Sequence, residues 1–296
     1  MSLKVIYRGY LSECKYSCDY CPFSKTVATL SEQQKDREAL ALFVAWVEKT
    51  SRPDRPFEML ITPLGEALTR SWYREAIIKL SKFSSVEKIA IQTNLSSDTK
   101  WFTNCNLQTT AVWATFHPDF TTVDSFARKC NELYQQGIRF SAGAVGVKKH
   151  FTHIQELRKK LPASVYLWIN AYKHQPNYYN ESDLKFLEEI DPLFRDNLHY
   201  YKSLGQNCQA GSSVISIEGN GDLYRCHFIK EKRGNIFHDS IDSLLKKEPC
   251  TNDTCHCHIG YIYLDYLQLS AVYRTGMLER IPEKQILESR KNCQVT

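Results

Sequence analysis

Cys14-Lys-Tyr-Ser-Cys18-Asp-Tyr-Cys21 places three thiols at C-x3-C-x2-C spacing on one short loop, just after the apolar run Val5-Ile6-Tyr7. Thiolates are the preferred ligands of iron–sulfur clusters, whose usual complement is four. Three from one loop leave a fourth metal position to be filled from elsewhere, and an unfilled position is where chemistry can occur. The next cysteine is Cys105, so no fourth thiol lies nearby in sequence. A zinc site is the alternative, but it calls for a fourth ligand and usually a second closely spaced pair.

The elements that must hold this loop can be read from the rest of the chain. At 296 residues it is long enough for one large α/β domain and a small appendage. Its 43% apolar and 24% charged content is ordinary for a soluble protein, and a net charge of +5 is mild. The basic clusters Lys148-Lys149-His150, Arg158-Lys159-Lys160 and Lys230-Glu231-Lys232-Arg233 are short and scattered, as on a solvated face rather than a nucleic-acid patch. No stretch reads as a signal peptide or reaches the ~20 apolar residues of a membrane span. Eleven cysteines in a chain of this size without an export signal point to the reducing cytoplasm, and so to metal binding rather than disulfides.

Nearly continuous apolar runs at 4–10, 57–62, 88–94, 111–117, 139–147 and 164–171 suit strands of a parallel sheet buried on both faces. Amphipathic helices alternate with them. Leu40, Phe43, Val44 and Val47 share one face behind a Ser31-x-x-Gln34 capping box. Val123, Phe126, Ala127, Cys130, Leu133 and Tyr134 form a second stripe, stopped by Gly137. Phe151, Ile154, Leu157 and Leu161 form a third, closed by Pro162, and Ser182 caps a further helix over 183–190. Six strand–helix repeats with right-handed crossovers predict an α/β fold, a partial (β/α)6 barrel. Chemistry in such barrels sits on loops at the C-terminal strand ends, where the three-cysteine loop falls. Beyond residue 200 the pattern changes to a hairpin (212–218, the turn Gly219-Asn-Gly-Asp222, then 223–226), a short helix over 240–247, and an aromatic-rich helix over 261–278.

The motif Cys14-x3-Cys18-x2-Cys21, with Tyr20 directly before the last cysteine, resembles the signature of the radical S-adenosylmethionine (SAM) superfamily. The resemblance implies that the three thiolates hold a [4Fe–4S] cluster whose open iron is chelated by SAM. One electron then cleaves the S–C5′ bond, and the 5′-deoxyadenosyl radical abstracts a hydrogen atom from the substrate. Gly65-Glu66, after the second strand, resembles the Gly-Gly-Glu motif that receives the SAM amino group, with Leu64 in place of the first glycine. An ordinary turn at a helix start is the other reading of that segment. Thr93-Asn94 resembles a Thr-Asn-Gly turn with Leu95 in place of glycine. The same resemblance places Thr115 on the SAM ribose or carboxylate, and residues 143–147 and Asn170 on its adenine side. His117, past the fourth strand, is either a substrate contact or a turn residue.

Cys208-x12-Gly221-x4-Cys226 resembles the opening of a SPASM/twitch extension, which wraps an auxiliary [4Fe–4S] cluster. The full pattern for two such clusters is missing, so the resemblance implies one, held by Cys208, Cys226, Cys255 and Cys257. Cys250 contends for one of the last two places. Structural zinc competes here, given His256 and His258. Cys105 and Cys130 fit small buried hydrophobes, and Cys293 lies in a polar tail. A hydrogen-donating thiol is a further role open to Cys105, Cys130 or Cys250.

These readings divide the chain into a barrel (1–200) and a small C-terminal β-hairpin/helix iron–sulfur extension (201–296). They predict a radical SAM enzyme that oxidises or rearranges a small molecule, with the auxiliary cluster handling electrons and flavodoxin or ferredoxin as donor. A peptide-maturation enzyme of the same chemistry is the second reading. An activase that installs a glycyl radical usually carries a clustered insert soon after the first motif, and residues 22–56 contain no cysteine. A non-catalytic iron–sulfur or zinc protein is the reading from another class.

Overall fold

A computed structural model describes residues 2–23, 26–50 and 52–287. Six strands come where the apolar runs predict them: β1 (Leu3–Gly9), β2 (Phe57–Ile61), β3 (Val86–Thr93), β4 (Thr110–Phe116), β5 (Arg139–Val145) and β6 (Leu167–Asn170). Each pairs in parallel with the next. The connections carry α1 (Leu30–Thr50) and α2 (Ser71–Leu80), then α3 (Val123–Gln135), α4 (Phe151–Lys160) and α5 (Glu181–Ile190). Between β3 and β4 the chain makes only a 3-10 turn, Lys100–Asn104, so the third repeat lacks its expected helix. Trp101 and Phe102, stacked at 3.9 Å, fill that place in the layer, with Phe102 fully buried.

Two helix starts differ from expectation. For α1 the reciprocal cap is Thr29 with Glu32, two residues before the Ser31/Gln34 pair: Thr29 N donates to Glu32 Oε2 at 2.7 Å and Glu32 N to Thr29 Oγ1 at 3.2 Å. A carboxylate is a stronger acceptor than an amide, and the helix gains residues at its start. For α5 the cap is Asn180 rather than Ser182, because Asn180 and Asp183 complete a capping box.

The rest of the chain forms β7 (Tyr201–Lys202), β8 (Val214–Glu218), β9 (Asp222–Tyr224), β10 (Lys232–Asn235), α6 (Ile241–Leu244), β11 (Thr254–Cys255), α7 (His258–Tyr261) and α8 (Leu269–Tyr273). The hairpin does not stand apart from the barrel sheet. β8 pairs in parallel with β1, giving the order β10-β9-β8-β1-β2-β3-β4-β5-β6. β7 and β11 pair separately. The long helix expected over 261–278 is instead α7, the 3-10 turn Asp265–Leu267, α8 and the turn Arg274–Gly276. Gln268 (φ 52°) and Arg274 (φ 41°), both left-handed, interrupt it.

The broken segment follows the contour of what it covers. One face of the sheet, with Val5, Tyr7, Met59, Ile61 and Ile91, packs on the helices. The other, with Ile6, Leu60, Ala90, Trp113 and Trp168, packs on Tyr261, Tyr263, Tyr273 and Met277. Burial on both faces is why the strands read as continuous apolar runs rather than alternating ones. Among the described residues no helix is long and apolar enough to cross a membrane.

Candidate active site

The loop after β1 brings its thiols against the C-terminal ends of β3 and β4. Cys14 Sγ accepts the backbone N–H of Tyr16 at 3.4 Å and the side-chain amide of Asn94 at 3.5 Å. Cys18 Sγ lies 3.3 Å from His117 Nδ1, which also meets the Tyr20 hydroxyl at 2.8 Å. Tyr20 stacks on the His117 ring and Tyr16 on Phe120, while Cys21 N closes the loop on Cys18 O at 3.0 Å. His117, whose carbonyl also accepts Phe120 N and Thr121 N in the turn after β4, therefore packs against the cysteine loop, a contact that neither sequence reading of it specified. Burial holds its imidazole down at about 4, so the ring is neutral near pH 7. The same effect raises the Cys14 thiol and pushes Cys18 up to about 11. Buried thiolates need a cation or metal beside them, and N–H groups aimed at sulfur favour the charged form.

Glu66 lies beneath this loop with its carboxylate buried. Oε1 accepts Thr93 Oγ1 at 2.7 Å and Leu68 N at 3.1 Å, and Oε2 accepts Asn94 N at 2.6 Å. Burial raises its pKa, and these donors and nearby Lys129 pull it back. Gly65 permits a close approach, but to the protein's own chain. A Cβ there would stand 2.1 Å from Glu13 O, and Glu66 N donates to that same oxygen at 2.9 Å. The segment before Cys14 thus crosses directly over Gly65. Leu95 keeps the left-handed backbone of a glycine turn, φ 53°, with its side chain buried and its N–H on Thr93 Oγ1.

Thr115 is half-buried and stands opposite Gly143 in the β4–β5 register. Asn170, at the end of β6, is engaged by the C-terminal segment: its Oδ1 accepts Arg280 Nη1 at 2.6 Å. A Cβ on Gly143 would meet the Trp168 indole at 2.0 Å, so this part of β5 is in packing contact with β6.

The C-terminal thiols gather around the β7–β11 pair. Burial pushes Cys226 up to about 12, with the thiols of Cys208, Cys250 and Cys257 close enough to add to the shift. Cys255 is raised by burial and by the same neighbours together with Cys226. Cys250 thus acts on both Cys226 and Cys255 alongside Cys208 and Cys257. Cys250 is held by Cys250 N to Gln206 O at 2.9 Å and Gly205 N to Cys250 O at 2.8 Å, beside the segment that carries Cys208. Arg225 fixes the preceding turn through Glu248 O and Pro249 O. Cys257, partly buried, precedes α7, with Arg8, Arg280 and Lys173 acting on its thiol. Among the described residues no three His, Cys, Asp or Glu side chains are arranged to hold a single metal ion. Thiols with aimed N–H groups at both places, with Arg8, Arg280 and Lys173 near Cys257 at the second, are the donor type that iron–sulfur clusters take. Cys105 and Cys130 are buried away from both groups as expected, and Cys293 lies outside the described residues.

No protein-family model and no curated protein sequence matches the chain. Solved structures do. SuiB of Streptococcus suis bound to S-adenosylmethionine aligns with a TM-score of 0.54 and 15% identity, over 82% of this chain and 65% of that one. anSMEcpe with bound AdoMet and the Kp18Cys peptide aligns with a TM-score of 0.56 and 14% identity, over 83% and 81%. The chain shares their fold. It spans 65% of the length of the SuiB chain, and at this identity the likeness is one of architecture.

Within that architecture Cys14, Cys18, Tyr20, Glu66, Thr93, Asn94 and His117 form one connected neighbourhood. Asn170 and the C-terminal thiols belong to the region covered by the terminal segment. Arg280 was not legible as a site residue, because its neighbours Trp113, Trp168 and Asn170 lie more than a hundred residues away in sequence.

Proposed function

We propose that this protein is a radical SAM enzyme. The observation that carries the reading is the capture of the Cys14 and Cys18 sulfurs by Asn94 and His117, from two strand ends, in a fold shared with two AdoMet-bound proteins. Cys14, Cys18 and Cys21 would hold a [4Fe–4S] cluster, with SAM on the remaining iron and Tyr20, Gly65, Glu66, Thr93, Asn94, Thr115 and Asn170 around it. When bound, cluster and SAM supply a carbon-centred radical that removes a hydrogen atom from an unactivated carbon. The chain's own part is to fix the loop through His117 and Asn94, to hold the Thr93–Asn94 turn on the Glu66 carboxylate, and to exclude water with the terminal segment.

The thiols of Cys208, Cys226, Cys255 and Cys257, with Cys250 beside them, would hold one auxiliary cluster of twitch type in the 201–296 region. It would take an electron from the substrate in a small-molecule oxidation or rearrangement. A flavodoxin or ferredoxin in the cytoplasm would reduce the first cluster. A peptide substrate is the second reading, favoured by the peptide present in the anSMEcpe structure.

Anaerobic reconstitution with iron and sulfide counts, and a 5′-deoxyadenosine assay under dithionite, tests this. The two-cluster reading expects about eight irons per chain; about four would remove the auxiliary cluster, and zinc without sulfide would remove both. Changing Cys14, Cys18 and Cys21 together to Ala should abolish SAM cleavage and leave the second cluster's iron in place.

A further inference from the structure

The tight turn at 276–281 inserts a cation into the interior of the sheet. Ile281 N donates to Gly276 O at 2.8 Å, and a Cβ on Gly276 would strike Ile281 O at 1.9 Å. Glu279 anchors the turn at the N-terminal side of the sheet: its Oε1 accepts Lys88 Nζ at 2.8 Å and Arg139 Nε at 2.5 Å, and its carbonyl accepts Ser141 Oγ. Arg280, at φ 55°, reaches the other way, to Asn170 at the C-terminal end of β6.

The Arg280 guanidinium is 2% exposed, 4.6 Å from the Trp168 ring centre and 5.8 Å from that of Trp113. Asn170 Oδ1 accepts its hydrogen bond, and Tyr273, Tyr261 and Tyr166 act on it electrostatically. Among the described residues no carboxylate is within 4.0 Å of it. Asp191 acts on it from further off, its own oxygens occupied by the Tyr166 hydroxyl and the backbone N–H groups of Ile169 and Leu193. Among the described residues Arg280 Nε has no hydrogen-bond partner, nor do Trp113 Nε1 and His258 Nε2. These three side chains are in contact as a group, Arg280 over Trp113 and Trp113 edge-on to His258 at 5.5 Å. Buried cations are normally paired and buried donors normally satisfied. A buried guanidinium without a contacting anion, beside two further orphaned nitrogens, has the chemistry of an oxyanion site.

We propose that Arg280, with Trp113 and His258, binds a carboxylate group of the substrate. The planar fork of Arg280 suits the two oxygens of a carboxylate, and cation–π contact with the Trp168 and Trp113 rings holds the guanidinium in place. This rests on the radical SAM reading for the word substrate; the binding site itself does not.

The reconstituted full chain is titrated with sodium acetate, propionate and succinate at fixed ionic strength, following tryptophan emission, since Trp113 and Trp168 both contact the guanidinium. Acetamide, chloride and inorganic phosphate are the comparison arms. A saturable change with carboxylates and none with acetamide or chloride is expected. R280Q should weaken it about tenfold or more, while R280K and W113F lose less. An equal response to acetamide, a response to phosphate alone, no saturable response to any carboxylate, or an unchanged response in folded R280Q overturns the assignment. If R280Q does not fold, R280K and W113F decide: both unchanged from wild type also overturns it. A carboxylate response in a preparation that cleaves no SAM keeps the site and removes the radical reading; SAM cleavage without the response does the reverse.

Discussion

Glu66 Oε2 accepts the backbone N–H of Asn94 at 2.6 Å, so the end of β2 and the end of β3 share one buried carboxylate. Among the described residues the three donors to that group are all N–H or O–H. An amide in its place must turn an NH2 towards one of them. E66Q should therefore lose about 1–3 kcal/mol of stability, measured by urea unfolding, and reduce SAM-dependent turnover as the Asn94 amide moves away from Cys14. Unchanged stability would mean that the carboxylate is dispensable to the turn.

His117 ties β4 to the cysteine loop through Cys18 and Tyr20. H117F retains a ring to stack on Tyr20 and removes the nitrogen. Groups that orient a ligand typically contribute about 10–100-fold in metal affinity. In protein reconstituted as proposed above, iron held by Cys14, Cys18 and Cys21 should be lost to a chelator correspondingly faster, and any iron held by the C-terminal thiols should be unaffected. Equal loss from both sites would show a general loosening instead.

Leu95 combines left-handed strain with a buried side chain. Relieving the strain is worth roughly 1–2 kcal/mol, and deleting a buried leucine costs about 2–5 kcal/mol. The second effect is larger, so L95G should be destabilised by about 1–3 kcal/mol despite its better backbone fit. A rise in melting temperature would reverse that order.

The N-terminus of α1 gives a pH signature. Hydrogen bonds from the Thr29 backbone N–H and hydroxyl hold the Glu32 carboxyl below its ordinary value of 4.5. A lowered folded-state value stabilises above the unfolded value, and that contribution disappears as pH falls through the folded one. Wild type should therefore exceed E32Q in stability near neutral pH, and the gap should close below pH 4.5. Urea midpoints across that range check the sign; a gap that widens in acid contradicts it.

The strands were legible because both sheet faces are covered, which leaves apolar runs that tolerate few interruptions. The missing helix between β3 and β4 was not, since Trp101 and Phe102 fill its place through a stack that leaves no periodicity. The 261–278 segment has the composition of a helix, yet its aromatics are spaced to meet Trp113, Trp168 and their neighbours, and packing prevailed over propensity.

By itself the sequence determined the parts whose meaning is local: three thiols on one loop, the strand runs, the Gly219–Asp222 turn and the spacing of Cys208 to Cys226. Their chemistry depends on residue type and on neighbours a few positions away. Only the tertiary structure decided that His117 and Asn94 hold the cysteine sulfurs, that Gly65 yields to Glu13, that Cys250 lies near enough to act on Cys226 and Cys255, and that Arg280 lies against Trp113 and Trp168. Most of those contacts join residues dozens to more than a hundred positions apart. They exist because parallel pairing brings the strand ends together and the terminal turn fills the space between them.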